Sequence, residues 1–353
     1  MLYVIYMLVI NLITFYLYGR DKRKAEKSEW RIPEATLLAF VILGGAFGGL
    51  LGMKIYHHKT KKNKFRITVP IFAIWYVIFC VFSLYQNYHL VVTEYDYKSS
   101  KVSAELSGYT IVQISDLHNQ IFGIGQKSLL KKIREQSPEM IVVTGDVVDL
   151  THTFFKPAED FFEGAVQIAP VYYVTGNHES WIAQSKSKGE RYREFISNIE
   201  RMGVHYIDDQ CVSMDGFTLI GVSDMNLPEK VPHGDSPSGV VEKVPHRDSP
   251  SGVIDNPSGE LNILLAHEPK LIDGYRETGM DLVFTGHVHG GQVIIPGVGG
   301  LFDPDIRFFP DPYEGMLEYG DITMILSRGL GNSVLPIRIN NYPEIVVVEL
   351  QTR

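Results

Sequence analysis

Two histidines stand one residue apart in the segment TGHVHGGQ, residues 285–292, directly after a run of apolar residues. Carboxylate, amide and imidazole side chains follow four other apolar runs in the same way. Oxygen ligands combined with neutral imidazole nitrogen suit borderline divalent metals such as Mn, Fe or Zn. The candidate site residues, in chain order, are Asp116, His118, Asp146, Asp149, Asn177, His178, His267, His287 and His289.

Seven of these side chains are candidate metal ligands: Asp116, His118, Asp146, Asn177, His267, His287 and His289. The set contains no cysteine, which disfavours a structural zinc site. Seven ligands are too many for one catalytic ion with an open position, and they suit two ions about 3.5–4 Å apart that share a carboxylate. Because residues i and i+2 of an extended segment point the same way, we expect Asp116 and His118 to address one ion. A turn at Gly290–Gly291 would let His287 and His289 diverge to different ions.

Short β-rich runs precede all of these residues and alternate with helical stretches early in the soluble region. The alternation predicts an α/β fold, and the later strands lack intervening helices, which favours a mixed, two-sheet sandwich. Sites in α/β sheets form outside the carboxyl ends of the strands, so the candidate residues should converge there. The predicted strands cover residues 109–114, 140–144, 171–175, 217–222, 261–266, 281–285, 322–327 and 344–350, and the predicted helices cover 128–137 and 191–202.

The first part of the 353-residue chain has a different composition, with apolar stretches at 1–18, 36–53 and 67–84. Each has about 18 residues, near the lower limit for a membrane-spanning helix. The first stretch lacks the basic start and cleavage site of a signal peptide. We therefore predict an integral, multi-pass protein with an α-helical membrane domain at 1–84, a polar linker at 85–107 and a catalytic domain at 108–353.

Two basic loops separate the apolar stretches, RDKRKAEKSEWR and KIYHHKTKKNKFR, each with six Lys or Arg residues. With three spans these loops would lie on opposite faces, and the positive-inside rule could not choose between them. If the middle stretch re-enters at its GGAFGGLLG segment, both loops are cytoplasmic and the catalytic domain is extracytoplasmic. The alternative is that these glycines form a helix-packing face.

A 13-residue repeat interrupts the soluble region: EKVPHGDSPSGV at 229–240 recurs as EKVPHRDSPSGV at 242–253. Its Pro, Ser, Gly and Asp content cannot build a core, so we predict a disordered insertion at 229–259. The net charge of −8 gives no basic excess for binding nucleic acid.

The ordered motifs SDLH, GDVVD, GNHE and GHVH resemble those of the calcineurin-like metallophosphoesterase superfamily over roughly residues 108–350. The segments GHVHGGQVIIPG and LSRGLGNSVLPIRINNYPEI are similar to a bacterial, often membrane-tethered subgroup. Residues 11–75, with WRIPE and HKTKKNKF, resemble a small bacterial membrane-domain family of unknown function. The resemblance implies a metallophosphoesterase-type two-sheet β-sandwich flanked by helices, preceded by the α-helical membrane domain.

The resemblance also implies a role for each candidate. Asp116, His118 and His289 would hold the first ion, Asn177, His267 and His287 the second, and Asp146 would bridge them. Water between the ions would lose a proton near neutral pH and attack phosphorus in line. His178 would stabilise charge on the phosphoryl oxygens and protonate the leaving oxygen. Asp149 would orient His178.

These residues predict a membrane-anchored hydrolase of phosphomonoester or phosphodiester bonds that depends on two divalent ions. Its expected partners are the membrane and a phosphorylated small-molecule or lipid-linked substrate, without nucleic acid. One alternative is a lipid-linked pyrophosphate hydrolase. The alternative from a different class is a non-catalytic, phosphate-binding membrane sensor, which has less need of an intact His178.

Overall fold

A computed structural model describes residues 2–224, 261–333 and 336–353 of the chain. The described residues form two compact units, Met1–Tyr85 and Gln86–Arg353. The repeated insertion predicted at 229–259 lies outside the described residues.

The described ranges contain nine helices and fourteen strands. The helices are α1 Leu2–Glu26, α2 Glu34–Phe40, α3 Ala46–Ile55, α4 Asn63–Tyr88, α5 Lys127–Glu135, α6 Lys156–Ala165, α7 Asn177–Gln184, α8 Gly189–Met202 and α9 Ile272–Arg276. The strands are β1 Val91–Ser99, β2 Thr110–Ile114, β3 Met140–Thr144, β4 Val171–Val174, β5 Val204–Tyr206, β6 Gln210–Ser213, β7 Phe217–Gly221, β8 Leu261–Leu265, β9 Leu282–Thr285, β10 Ile294–Ile295, β11 Gly299–Gly300, β12 Gly315–Tyr319, β13 Ile322–Leu326 and β14 Glu344–Thr352.

Two six-stranded sheets carry the second unit in the described part of the chain, in the orders β1-β14-β2-β3-β4-β5 and β12-β13-β9-β8-β7-β6. Apolar residues of both sheets, among them Val142 on β3 and Phe284 on β9, share one buried core. The outer face of the first sheet buries Leu129 of α5, Phe161 of α6 and Phe195 of α8. The predicted α/β fold with two packed sheets is confirmed.

The prediction of a linker at 85–107 is corrected, because this segment contains strand β1. This strand pairs in parallel with β14 along nine positions, from Val91 opposite Glu344 to Ser99 opposite Thr352. Its sequence, VVTEYDYKS, is mostly polar because it lies at the edge of the sheet and is half exposed. The first sheet therefore starts at Val91, and a fragment beginning at residue 108 would lack its edge strand.

In the first unit, the middle apolar stretch reverses direction. The backbone leaves helical geometry at Gly44, where φ is +117°. Beyond the reversal, Lys59 Nζ lies 3.0 Å from Glu34 Oε1, and His58 Nε2 lies 2.7 Å from Asp21 Oδ2. A straight helix over Glu34–Ile55 would hold these ends about 33 Å apart. The stretch is therefore a helical hairpin, and the two basic loops adjoin at its open end.

The glycine-rich segment serves both as a reversal and as a packing face. Asn11 on α1 holds the tip of the hairpin, donating from Nδ2 to Gly44 O at 2.9 Å and accepting at Oδ1 from Gly48 N at 2.7 Å. A Cβ atom at Gly48 would lie 2.0 Å from Asn11 O, so only glycine permits this approach. Asn11 and Asp21 are separated by about 15 Å along α1, roughly half the thickness of a bilayer core.

Two described helical stretches are long and apolar enough to cross a membrane by length and composition, namely Glu34–Ile55 with mean hydropathy 2.0 and Asn63–Tyr88 with mean hydropathy 2.3. The reversal at Gly44 makes the first of them unsuited to a full crossing. Helix α1 is also apolar on its surface, since Leu8 and Leu12 are 61% and 67% exposed.

Candidate metal centre

All nine predicted site residues lie just after a strand; Asn177 and His178 form the start of α7, and the others lie in loops and short turns. Because β2, β3 and β4 run parallel to one another, and β8 runs parallel to β9, the loops after these strands leave each sheet at one edge. The two edges face each other across the sandwich. The structure brings all nine residues together there: Asp116 and His118 after β2, Asp146 and Asp149 after β3, Asn177 and His178 after β4, His267 after β8, and His287 and His289 after β9.

The first ligand group contains Asp116, His118 and His289, which can hold a metal ion together. Nε2 of His118 lies 3.0 Å from Nε2 of His289. Nε2 of His289 lies 3.5 Å from Asp116 Oδ1. All three residues are buried. The resemblance assigns these same three residues to the first ion, and that assignment stays a prediction.

The second group contains Asn177, His267 and His287. Asn177 Oδ1 lies 3.1 Å from both His267 Nε2 and His287 Nδ1. Asp146 connects the two groups, since its Oδ2 lies 3.5 Å from His118 Nε2 and 3.3 Å from His267 Nε2. His287 and His289 thus lie in different groups, and their assignment to different ions stays a prediction.

The backbone at the ligands differs from the extended geometry that we predicted. Asp116, His118, His287 and His289 have φ values of 53°, 43°, 72° and 50°, in the left-handed region. Asp and His adopt this region more readily than most residues. Tight turns after the end of each strand therefore set the directions of Asp116 and His118 and of His287 and His289. The rule that residues i and i+2 of a strand point the same way does not apply to them.

Hydrogen bonds behind the ligands fix which imidazole nitrogen faces the centre. His267 Nδ1 lies 2.7 Å from the carbonyl oxygen of Thr144, and His289 Nδ1 lies 3.3 Å from that of Gly331. A carbonyl oxygen only accepts, so Nδ1 carries the hydrogen and Nε2 presents its lone pair to a metal. The fully buried Arg338 donates from Nε to the same Gly331 carbonyl at 3.2 Å, which places it behind His289 and away from substrate.

The electrostatics of the centre fit bound cations. Burial lowers the pKa of His118 to about 3 and also lowers the pKa of His289, so both rings are neutral ligands at neutral pH. Burial disfavours a charged His267 as well, but the Asp146 carboxylate outweighs it and raises the pKa of His267. The space between His267 and Asp146 thus stabilises positive charge, which a metal ion can supply in place of the proton.

His178 lies at the opening of the centre, with 15% of its side chain exposed and its Nε2 3.9 Å from Asp146 Oδ2. The predicted orientation of His178 by Asp149 is corrected. The nearest atoms of the two side chains, Nδ1 and Oδ2, are 3.8 Å apart, beyond hydrogen-bond distance. Instead, the backbone N–H of Leu150 donates to His178 Nδ1 at 3.0 Å. The Asp149 carboxylate accepts from Thr151 Oγ1 and His152 N.

Two carboxylates near the centre, one buried and one half-buried, were missed by sequence reasoning. Glu179, within the motif GNHE, is fully buried and accepts backbone N–H bonds from Asp146, Val148 and Gly176 at 2.8, 2.8 and 3.0 Å. Asp224 follows β7, and burial raises its pKa to about 6 beside His267. The sequence did contain a signal for Asp224: in FTLIGVSD an aspartate follows a strand, as it does in the recognised motifs.

Replacing Glu179 by glutamine should disorder the loop that carries Asp146. The amide group turns one acceptor into a donor and leaves a buried backbone N–H without a partner, at a cost of about 1–3 kcal/mol. Mutation of a residue that supports metal ligands by hydrogen bonds typically changes the metal affinity by about 10–100-fold. We expect both a lower melting temperature and weaker metal binding, measured by calorimetry and metal titration. Glu163→Gln, at an exposed position on α6, is the matched control. Equal metal affinity in the two variants would contradict this role of Glu179.

The family model described as calcineurin-like phosphoesterase matches residues 109–291, which is more than half of the chain and includes all seven candidate ligands. The chain belongs to this family. It is a metal-dependent phosphoesterase, a hydrolase acting on ester bonds. A second model, described as a protein of unknown function, DUF1294, matches residues 11–65 in the first unit.

Similar proteins agree with this division of the chain. The metallophosphoesterase YkuE of Bacillus subtilis is 27% identical over 296 residues, covering 77% of this chain and 89% of that protein. The phosphodiesterase YaeI of Escherichia coli is 28% identical over 228 residues, covering 61% and 72%. The protein YsdA of Bacillus subtilis is 44% identical over 69 residues, covering 20% of this chain and 78% of YsdA. The predicted superfamily and the predicted N-terminal domain family are both confirmed.

Proposed function

We propose that the chain is a membrane-anchored phosphoesterase that uses two divalent ions to hydrolyse phosphomonoester or phosphodiester bonds, with Mn, Fe or Zn as the candidate metals. The position of Asp146 carries the proposal. Its Oδ2 atom lies within 3.5 Å of a ligand nitrogen in each of the two groups. One carboxylate oxygen shared in this way suits a pair of ions about 3.5–4 Å apart.

Bound divalent ions lower the pKa of water and neutralise charge on phosphoryl oxygens. The residues of the chain supply the rest. In the neutral His178 ring, Nδ1 accepts from Leu150 N, so Nε2 carries the hydrogen. That N–H is partly exposed at the opening, where it can donate a hydrogen bond to a phosphoryl or leaving oxygen while the ring keeps its proton. The match to the phosphoesterase family favours an enzyme over a sensor.

Removing the metals should abolish hydrolysis without unfolding the protein. The full chain, treated with chelator, is assayed with the water-soluble diester bis(4-nitrophenyl) phosphate before and after addition of Mn, Fe or Zn one at a time. We expect the rate to fall to that of buffer and to return with at least one metal. Hydrolysis that persists in the fully demetallated protein would contradict the proposal.

The same proposal includes an orientation in the membrane. Helices α1 and α4 would cross the bilayer, and the hairpin of α2 and α3 would re-enter without crossing. Contacts between the basic loops, such as His58 Nε2 to Asp21 Oδ2 at 2.7 Å, support one shared face for both. Basic loops favour the cytoplasm. Helix α4 starts at that face, so its end at Tyr88 and the catalytic unit after it would be extracytoplasmic.

Cysteines introduced at Lys24 and Lys61 should therefore be labelled from the same face. Cys80 and Cys211 are first replaced by serine, and an impermeant maleimide is applied to intact cells and to inverted vesicles. We expect labelling of both positions only in inverted vesicles. A cysteine at Lys131, which is 77% exposed in the catalytic unit, should react only in intact cells and serves as the control. Opposite labelling of positions 24 and 61 would rule out the re-entrant hairpin.

A further inference from the structure

Large apolar side chains are exposed in the loops around the metal centre. In the loop after β2, Ile121 and Ile124 are 50% and 88% exposed. In the segment after β9, Phe308 and Phe309 are 66% and 56% exposed, and their rings lie 6.5 Å apart. Folded domains seldom leave several such side chains in water near one another without a binding role.

Ile121 and Ile124 belong to a loop that holds candidate ligands, whereas Phe308 and Phe309 lie between β11 and β12. Ile121 follows the ligand His118 by three residues, and Asn119 between them donates from Nδ2 to the carbonyl oxygen of His152 at 2.6 Å. That contact joins the loop after β2 to the loop after β3, where Phe154 is 54% exposed. On the other flank, Asp305 Oδ2 lies 4.0 Å from Nε2 of the ligand His287. The apolar side chains therefore flank both ligand groups.

The last turn of α4, which belongs to the catalytic unit, contacts the same loops. The ring of Tyr88 lies 6.2 Å from that of Phe122, in an edge-on arrangement. Asn87 Oδ1 accepts from Asn332 Nδ2 at 2.7 Å, and Asn332 Oδ1 accepts from Gln292 Nε2 at 3.0 Å. Gln292 is the third residue after the ligand His289. Tyr88 thus contacts the loop that carries Asp116 and His118, and Asn87 is linked through Asn332 to the segment after His289.

We propose that the opening of the metal centre docks on the bilayer surface, with Ile121, Ile124, Phe154, Phe308 and Phe309 in contact with lipid. This inference rests on the proposed function, because it takes α4 as a membrane helix. On the proposed topology the membrane segment ends at Tyr88, and the loop that holds Ile121 and Ile124 contacts this residue through Phe122. Aromatic side chains favour this interfacial position. Docking would present the metals to phosphoesters carried by lipid head groups.

An environment-sensitive fluorophore tests the contact directly in the full chain. The label is attached to Phe308→Cys or to Ile124→Cys, with Cys80 and Cys211 replaced by serine, and the protein is reconstituted in vesicles of phosphatidylglycerol and phosphatidylethanolamine. We expect blue-shifted emission that brominated phosphatidylcholine quenches at both positions. The matched control is Lys131→Cys on α5, whose side chain is 77% exposed and should stay in water.

Emission at positions 308 and 124 that matches the control would overturn the docking surface. Emission that is shifted but not quenched by brominated lipid would also overturn it, because a protein would then cover these loops. Hydrolysis of bis(4-nitrophenyl) phosphate by the same labelled samples separates the two proposals. Quenching in an inactive protein would leave docking intact and contradict the proposed function. Activity without quenching would contradict docking and leave the proposed function intact.

Discussion

Replacing Asp146 by asparagine is expected to abolish phosphoester hydrolysis. The Asp146 side chain is 2% exposed, and its Oδ2 lies 3.3 Å from the ligand nitrogen of His267. An amide oxygen keeps the shape but removes the negative charge that would face both ions. At about 4 Å and an effective dielectric constant near 20, one unit of charge is worth about 4 kcal/mol, or roughly 10³-fold in metal affinity. The measurement combines metal content of the purified variant with the rate of diester hydrolysis.

Asp273→Asn is the control for this variant, because the Asp273 side chain is 90% exposed on α9. It should keep wild-type metal content and wild-type turnover. Normal turnover by Asp146→Asn would contradict the bridging role, and so would loss of metal from only one ligand group.

Replacing His178 by alanine should lower turnover by about 10²–10³-fold while the metals stay bound. His178 lies within reach of an ion shared with His118 and Asp146, and its ring lies 4.5 Å from that of His118, so metal content is measured together with turnover. The loss should depend on the leaving group. An alkyl phosphate, whose leaving oxygen develops more negative charge, should lose more rate than a nitrophenyl ester, whose leaving oxygen delocalises its charge. The assay compares both substrates at equal metal occupancy.

His152→Ala is the matched control, since the His152 side chain is 73% exposed and lies near Asp149 without facing the centre. This variant should retain the activity of the wild type on both substrates. The role of His178 as a hydrogen-bond donor to the leaving oxygen would fail if His178→Ala slowed the two substrates equally. A loss of metal in that variant would assign His178 to metal binding instead.

The strands that position the metal centre could be predicted because each is a short, buried apolar run. MIVVT at 140–144 is strand β3 with the same bounds, and all of its residues are buried. Strand β14 also begins at Glu344, where the sequence placed it. The convergence of the loops then followed from the rule that parallel strands end at the same edge of a sheet. Local composition was sufficient for these steps.

Other features depend on partners that are distant in the sequence. Strand β1 is polar, and its partner β14 begins 253 residues after Val91 (344 − 91). No sequence pattern indicates the supporting role of Glu179, because its three hydrogen-bond donors are backbone N–H groups. The left-handed backbone at Asp116 and His289 also depends on the turns that follow each strand. The distance between Asp149 and His178 depends on side-chain packing, which motif order does not define.

The short connection between α4 and β1 has a consequence for kinetics. Helix α4 ends at Tyr88 and β1 begins at Val91, so only two residues separate them. They extend over at most about 7 Å, so the end of α4 and the start of β1 stay close together. In the proposed membrane-anchored enzyme, the encounter with a lipid phosphoester in the same leaflet would be a two-dimensional search. The rate would then follow the mole fraction of substrate in the bilayer and would be insensitive to the volume of the surrounding solution.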